Sequence, residues 1–138
     1  MLSETVKAFA SENHHSVLTT FRRSGAVQMS LILSATYEGG VAFTTPGDRA
    51  KLLNLRRDPR CTLLVSRDDW WGYVVIEGTA KIMDADNTGS EELRQALREV
   101  YRRISGEHPD WDEYDRAMVD ERRAVVVVLS DHVYGTNA

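Results

Sequence analysis

The stretch Thr44-Thr45-Pro46-Gly47-Asp48-Arg49-Ala50-Lys51-Leu52-Leu53-Asn54-Leu55-Arg56-Arg57-Asp58-Pro59-Arg60 gathers the residue types best suited to holding an anion. Residues 41–45 are β-prone, Pro46-Gly47 is turn chemistry, and Asp48 is the expected N-cap of a helix over residues 48–57 that Pro59 must end. A helix start exposes free N–H groups and a partial positive charge, so Arg49 and Lys51 in the first turn oppose the dipole. That placement becomes favourable when an anion, most simply a phosphate, sits at the helix start. A solvated basic helix face has the same pattern, and the stretch alone leaves both readings open.

Three other groups of residues invite chemical readings. Trp70, Trp71 and Tyr73 follow the acidic pair Asp68-Asp69 in a turn, where large aromatic rings are costly to leave in water. They suit either a dimer interface or a wall beside a planar ligand. Residues 27–36 alternate between apolar Val27, Met29, Leu31, Leu33 and Ala35 and the mostly polar Gln28, Ser30, Ile32, Ser34 and Thr36. The polar face carries amides and hydroxyls rather than charges; the pattern favours exposing it to water, although it also suits hydrogen bonding to a heteroaromatic ring. The acidic residues between Glu107 and Glu113 point mostly at solvent when placed on a helix, and His14-His15 lack metal-ligand spacing. Cys61 is the single cysteine, so it forms no internal disulfide and belongs to no cysteine-based zinc array. No metal is expected.

The elements that must position these residues can be read in order. A helix starts at Ser3, and strands are expected over 16–21, 27–36, 41–45, 60–67, 73–83 and 124–129. Arg23-Ser24-Gly25 and Glu38-Gly39-Gly40 are turns. Gly78 marks a bulge or a close backbone approach in the fifth strand. Leu93, Leu97, Val100, Tyr101 and Ile104 share one face of a helix that Gly106 stops, and Asp110 caps a further helix carrying Trp111, Tyr114 and Met118 inward. At 138 residues, this is a single domain.

Composition narrows the partners. With 42% hydrophobic and 28% charged residues the chain is that of a soluble globular protein. Its net charge of -4 argues against nucleic acid, while Arg49, Lys51, Arg56, Arg57 and Arg60 concentrate positive charge locally, as a small anionic ligand requires. No stretch reaches the ~20 apolar residues that span a bilayer, and residues 1–12 lack the pattern of a signal peptide, so a cytoplasmic protein without a membrane partner is expected.

Asp48-Arg49-Ala50-Lys51 through Asn54-Leu55-Arg56-Arg57-Asp58-Pro59-Arg60, Trp71-Gly72-Tyr73 with Glu77-Gly78-Thr79-Ala80, and His132-Val133-Tyr134-Gly135 together resemble the pyridoxamine-phosphate-oxidase-like split β-barrel flavoproteins. The resemblance runs from about Ser16 to Gly135 and is closest to the actinobacterial subgroup B that uses the deazaflavin coenzyme F420 in place of FMN. It implies a mainly β (α+β) fold: a six-stranded antiparallel Greek-key split β-barrel with peripheral helices. It also implies a homodimer with two cofactor sites at the subunit interface. By the same resemblance Arg49 and Lys51 bind the cofactor phosphate, Thr44 and Thr45 bond the phosphate or ribityl chain, and Gln28 and Ser30 line the ring and side chain. Trp71 comes across from the partner subunit, and Arg56 or Arg57 meets the carboxylates of an oligoglutamate tail.

Departures from the vitamin B6 oxidases are visible. Those enzymes carry a basic residue on the second strand and an Arg-rich carboxy-terminal motif, where this chain has Gln28-Met29-Ser30 and Gly135-Thr136-Asn137-Ala138. The implied activity is therefore hydride transfer from reduced F420 to an electron-poor C=C or C=N bond of a small-molecule substrate. Small conjugated compounds, tetrapyrroles and lipids all fall within the resemblance. The catalytic residues are unknown; Tyr73 and Tyr134 are candidates as proton donors by chemistry alone. An FMN-dependent reductase or oxidase of the same fold and a non-enzymatic cofactor-binding module are the alternatives.

Overall fold

The computed structural model describes residues 2–138. Helix α1 (Glu4–Glu12) is followed by strands β1 (His15–Phe21), β2 (Val27–Leu33), β3 (Ala35–Tyr37) and β4 (Gly40–Thr45). Helix α2 (Ala50–Arg57) leads to β5 (Arg60–Ser66) and β6 (Tyr73–Met83), then the helical pair α3 (Ser90–Ser105) and α4 (Trp111–Asp120), and finally β7 (Ala124–Tyr134). The strands form one sheet in the order β2-β1-β5-β6-β7-β4-β3, with every neighbouring pair antiparallel. No helix among the described residues is long and apolar enough to cross a membrane.

The two sheet edges, β2 and β3, are separated in the chain by Ser34 alone, so the sheet must curl until its edges approach. This makes the fold a split barrel. The single strand expected over 27–36 is thus two strands, and the sheet has seven rather than six. The cause is local. Ser34 is fully buried, its N–H donates to the His14 carbonyl (2.9 Å), and its hydroxyl shares a hydrogen bond with Ser16 Oγ (2.7 Å). His14 Nδ1 in turn donates to the Ser34 carbonyl (2.8 Å). These bonds satisfy the corner's polar groups away from water, as a buried bend requires.

Register decides which face of β2 is inside. Ser16, Leu18 and Thr20 of β1 are buried, and they lie opposite Ile32, Ser30 and Gln28. Residues directly opposite in an antiparallel pair share a face. The polar side of β2 therefore turns inward, whereas the alternation by itself favoured exposing it; Met29 and Leu31, 65% and 85% exposed, stand on the outside.

The barrel core joins Leu18, Val41, Phe43, Leu63, Val65, Val74, Ile76, Val126 and Val128, with Val6, Phe9 and Ala10 of α1 and Leu52 and Leu55 of α2 packed into it. A second core lies on the other side of the sheet, where Leu93, Ala96, Leu97 and Val100 of α3 and Tyr114 of α4 cover Ala42, Val125 and Val127. This explains why residues 124–128 are apolar without alternation: β7 is buried on both faces. Arg98 Nε donates to Asp115 Oδ1 (2.9 Å), tying α3 to α4 and holding the Asp115 carboxyl below its ordinary value.

Most predicted boundaries coincide with the observed ones. Ser3 caps α1 by accepting from Val6 N–H (3.2 Å), Asp110 caps α4 by accepting from Glu113 N–H (3.1 Å), and Gly106 ends α3 at φ 83°. Gly78 sits at a register shift in the β6–β7 ladder, where a Cβ would run into the Leu129 carbonyl. β7 continues past its expected end at 129 to Tyr134, because the bulge lets the strand keep pairing with β6.

Candidate functional site

The basic helix start is where the expectation and the structure differ in detail. Asp48 does not cap α2: Arg49 occupies the N-cap position, and no side chain accepts a hydrogen bond from the first turn. The Asp48 carboxylate instead lies 3.3 Å from Arg49 Nη1, an exposed pair of little energetic weight. Gly47 approaches the Arg122 carbonyl so closely that a Cβ would stand 2.6 Å from it, which pins the turn after β4 against the chain leaving α4. The uncapped start leaves backbone donors available to an external acceptor.

Thr44, Thr45, Arg49 and Lys51 converge on one cavity of about 570 Å³, a size common for small-molecule sites. Its walls come from the end of β4, the start of α2, Leu31 to Leu33 of β2, and the α3–α4 pair. Burial lowers the Lys51 pKa below its ordinary value of 10.5, with the nearby Arg49 and Arg123 acting in the same direction. Three cations thus crowd one end of the cavity without a carboxylate among its lining residues there; the single lining acid, Glu113, belongs to α4. Crowded like charges beside an uncapped helix are relieved by an anion.

Sequence reasoning missed Arg123, which lines the same cavity and donates from Nη1 to Thr44 Oγ1 (3.1 Å) while Nε donates to Glu121 (3.0 Å). The pairing of Thr45 with Ala124 brings it there, and nothing in the linear order of residues announces that pairing. Tyr101, His108 and Glu113 of the helical wall were also not singled out as site residues. Thr45 is buried, and its hydroxyl donates to the Pro46 carbonyl (3.2 Å).

The remaining expected residues stand outside this cavity's lining. Gln28 Oε1 accepts from Asn54 Nδ2 (2.9 Å), which also reaches Thr20 Oγ1 (3.1 Å), so the amide ties α2 to the β1–β2 hairpin. Ser30 is half-buried opposite Leu18. Arg56 Nη2 donates to Asp84 (3.1 Å), and Arg57 Nη2 to the Phe21 carbonyl (2.9 Å) and Asn54 Oδ1 (3.0 Å). Trp71 is 84% exposed at the tip of the turn between β5 and β6, its backbone N–H donating to Asp69 Oδ1 (2.9 Å). Tyr73 and Tyr134 lie on β6 and β7 away from the cavity lining. Cys61 is buried, and desolvation pushes its thiol up to about 12, so it is not a nucleophile.

The donor set fits the phosphate end of a flavin-type cofactor. The Thr44 hydroxyl, an ammonium, two guanidinium groups and an uncapped helix start are what a phosphate monoester or diester asks for, while the Thr45 hydroxyl is already spent on the Pro46 carbonyl.

Comparison with solved structures shows the same fold. The conserved hypothetical protein Rv2991 from Mycobacterium tuberculosis superposes with a TM-score of 0.77 at 23% identity, over 98% of this chain and 84% of that one. A protein named F420 reductase gives a TM-score of 0.71 at 18% identity, over 96% and 98%. General Stress Protein 26 from Bacillus anthracis str. Sterne gives 0.66 at 16% identity, over 96% and 91%. The sequence profile described as pyridoxamine 5'-phosphate oxidase matches residues 2–137. That span takes in the barrel, the basic helix start and the helical pair alike, and the chain belongs to the pyridoxamine 5'-phosphate oxidase family.

Proposed function

We propose that the protein is an F420-dependent oxidoreductase of subgroup B, acting as a reductase on a small-molecule substrate and working as a cytoplasmic homodimer. The observation that carries this reading is the cationic end of the cavity, where Thr44, Thr45, Arg49, Lys51 and Arg123 surround an uncapped helix start. The likeness to a protein named F420 reductase and the absence of a strand cation at Gln28-Met29-Ser30 favour the deazaflavin over FMN.

When bound, a reduced deazaflavin supplies hydride to an electron-poor C=C or C=N bond, and a proton from solvent completes the reduction. The chain's own residues bind and orient. Lys51 and Arg49 answer the phosphate, Arg123 braces Thr44, and the α3–α4 wall narrows the remaining space and excludes water. In the dimer, Trp71 would reach the site of the other subunit, whereas Gln28 and Ser30, on the inward face of β2 and outside the cavity lining, would meet the ring only if the cofactor extended beyond this cavity. Arg56 would have to exchange Asp84 for a cofactor carboxylate.

The exposed apolar side of the sheet supports the dimer. Leu31, Val17, Leu64, Val75 and Tyr134 are successive partners across five strands and share one side of the sheet, on which Leu31 and Tyr134 are exposed, Val17 and Leu64 half-buried and Val75 buried. Separate titrations of the protein with coenzyme F420 and with FMN, read by quenching of tryptophan fluorescence, test the cofactor. Micromolar F420 binding with much weaker FMN binding is expected. Preference for FMN would move the protein to the flavin-dependent branch of the fold, and tight F420 binding without turnover of any acceptor would favour a cofactor-binding module.

A further inference from the structure

A second cavity, of about 510 Å³, shares Met118 and Arg123 with the first and is bounded by α3, α4, the connection after β6 and the chain entering β7. Its apolar walls are aliphatic. Leu93 and Leu97 of α3 are buried, Met118 of α4 is half-buried, and Val119 remains 76% exposed; no aromatic side chain lines the space. Aliphatic surface left partly in water gains by taking an apolar body. Most charges around the cavity are already answered: Arg94 Nη2 donates to Glu91 Oε1 (2.6 Å), Arg98 holds Asp115, and Arg123 Nε donates to Glu121 (3.0 Å). Arg122 is the exception. It lines the cavity, yet among the described residues no carboxylate forms an ion pair with it and its guanidinium donates no hydrogen bond. A small cleft that Arg122 also lines holds Asp48, Asp120 and Glu121, of which Asp48 pairs with Arg49 and Glu121 with Arg123.

The backbone at Arg122 is unfavourable for an arginine. It follows the end of α4 at φ 50°, its N–H donating to the Val119 carbonyl (3.0 Å) and the next N–H, of Arg123, to the Met118 carbonyl (3.0 Å). This is a left-handed helix stop, a position that glycine fills at lower conformational cost. Arginine there gives up stability, and its charged end forms no bond within the chain in return. Such a cost, borne at a cavity wall, points to an external partner. We propose that the second cavity binds a compact aliphatic carboxylate, its two oxygens on the Arg122 guanidinium and its hydrocarbon body against Leu93, Leu97, Met118 and Val119. The planar fork of an arginine matches a carboxylate, and the one unanswered cation selects a single negative charge. Walls without aromatic rings and a bounded volume select a compact aliphatic body over a flat ring. This site is additional to the cofactor cavity and stands whichever cofactor that cavity takes.

The test is calorimetric titration of the full chain with adamantane-1-carboxylate, with the neutral adamantane-1-methanol and the cationic 1-adamantanamine as companions of the same shape. The carboxylate should bind saturably, the alcohol more weakly and the amine least. Arg122→Gly should weaken carboxylate binding by roughly tenfold or more, the scale of a lost charge-assisted hydrogen bond, while its Tm stays level or rises because glycine suits the left-handed position. Arg122→Lys, which keeps the charge without the fork, should lose less. Val119→Glu, at an exposed position that the fold does not depend on, should weaken binding by placing a like charge beside the ligand. Lys51→Ala should leave carboxylate affinity unchanged, since that lysine lines the first cavity and not the second. Absence of saturable binding at millimolar ligand, equal affinity for the alcohol, or unchanged affinity in Arg122→Gly would each overturn the proposal. So would a loss in Lys51→Ala, which would put the carboxylate at the phosphate end of the first cavity. Failure of coenzyme F420 to bind in a separate titration would strike the cofactor reading and leave this result standing.

Discussion

Lys51 shows how one side chain links charge, burial and binding. Its ammonium is partly desolvated and faces Arg49 and Arg123, so it gives up its proton more readily than an exposed lysine. The protonated form is the one that binds an anion. Affinity for the cofactor phosphate is accordingly full at pH values below the lowered pKa and falls as pH rises through it, earlier than the ordinary value of 10.5 would allow. Isothermal titration across the alkaline range should show this fall together with proton uptake on binding, since the bound anion restores the lysine's affinity for its proton. Lys51→Ala should weaken cofactor binding by roughly 1.5–3 kcal/mol, the scale of a charge-assisted hydrogen bond. Unchanged affinity in that variant would leave the basic helix start as a solvated surface. Tyr101, His108 and Glu113, at the other end of the cavity, show that its two walls differ in charge as well as in shape.

Elements set these residues in place through two unusual backbone features. At Ser34 the chain leaves one sheet edge and enters the other, and its hydroxyl bond to Ser16 keeps that corner dry. At Gly78 the β6–β7 ladder shifts register, and the neighbouring backbone of Leu129 occupies the space a side chain would need. Gly78→Ala should destabilise the protein by roughly 3 kcal/mol or more, because relief of the clash would require moving a central strand rather than a flexible side chain. Denaturant unfolding measures this directly, and a loss below about 1 kcal/mol would mean that the ladder is more compliant than its close contact implies.

For the whole molecule, the surface that calls for a cover is the outer side of the β2-β1-β5 portion of the sheet. Met29 and Leu31 protrude from it, and Trp70 and Trp71 stand exposed on the turn after β5. Apolar groups so placed are costly in water, and a second copy of the chain is the proposed cover. Leu31→Asp should convert the dimer to a monomer by sedimentation equilibrium. Its Tm, measured at a concentration where the wild type is also dissociated, should barely change, since the side chain makes little contact within its own chain. A monomeric wild-type protein at micromolar concentration would rule out this assembly.

Local rules were enough for much of the architecture. Capping by Ser3 and Asp110, the stop at Gly106 and the bulge at Gly78 are matters of short-range backbone chemistry, and each was legible as sequence. So was the grouping of Thr44, Thr45, Arg49 and Lys51, because a strand end, a tight turn and a helix start keep near neighbours together. Which face of β2 turns inward was not legible, since alternation specifies two faces but not which one meets the core; the register with β1 decides that. Asp48 could have served as the cap, yet the turn held by Gly47 against Arg122 places Arg49 at that position instead. Arg123 and His108 join the cavity only when β7 pairs with β4 and the helical pair folds over them, contacts between residues distant along the chain. Residue order alone determined the local elements and the basic helix start; long-range pairing decided which side of the sheet became the core and completed the cavity.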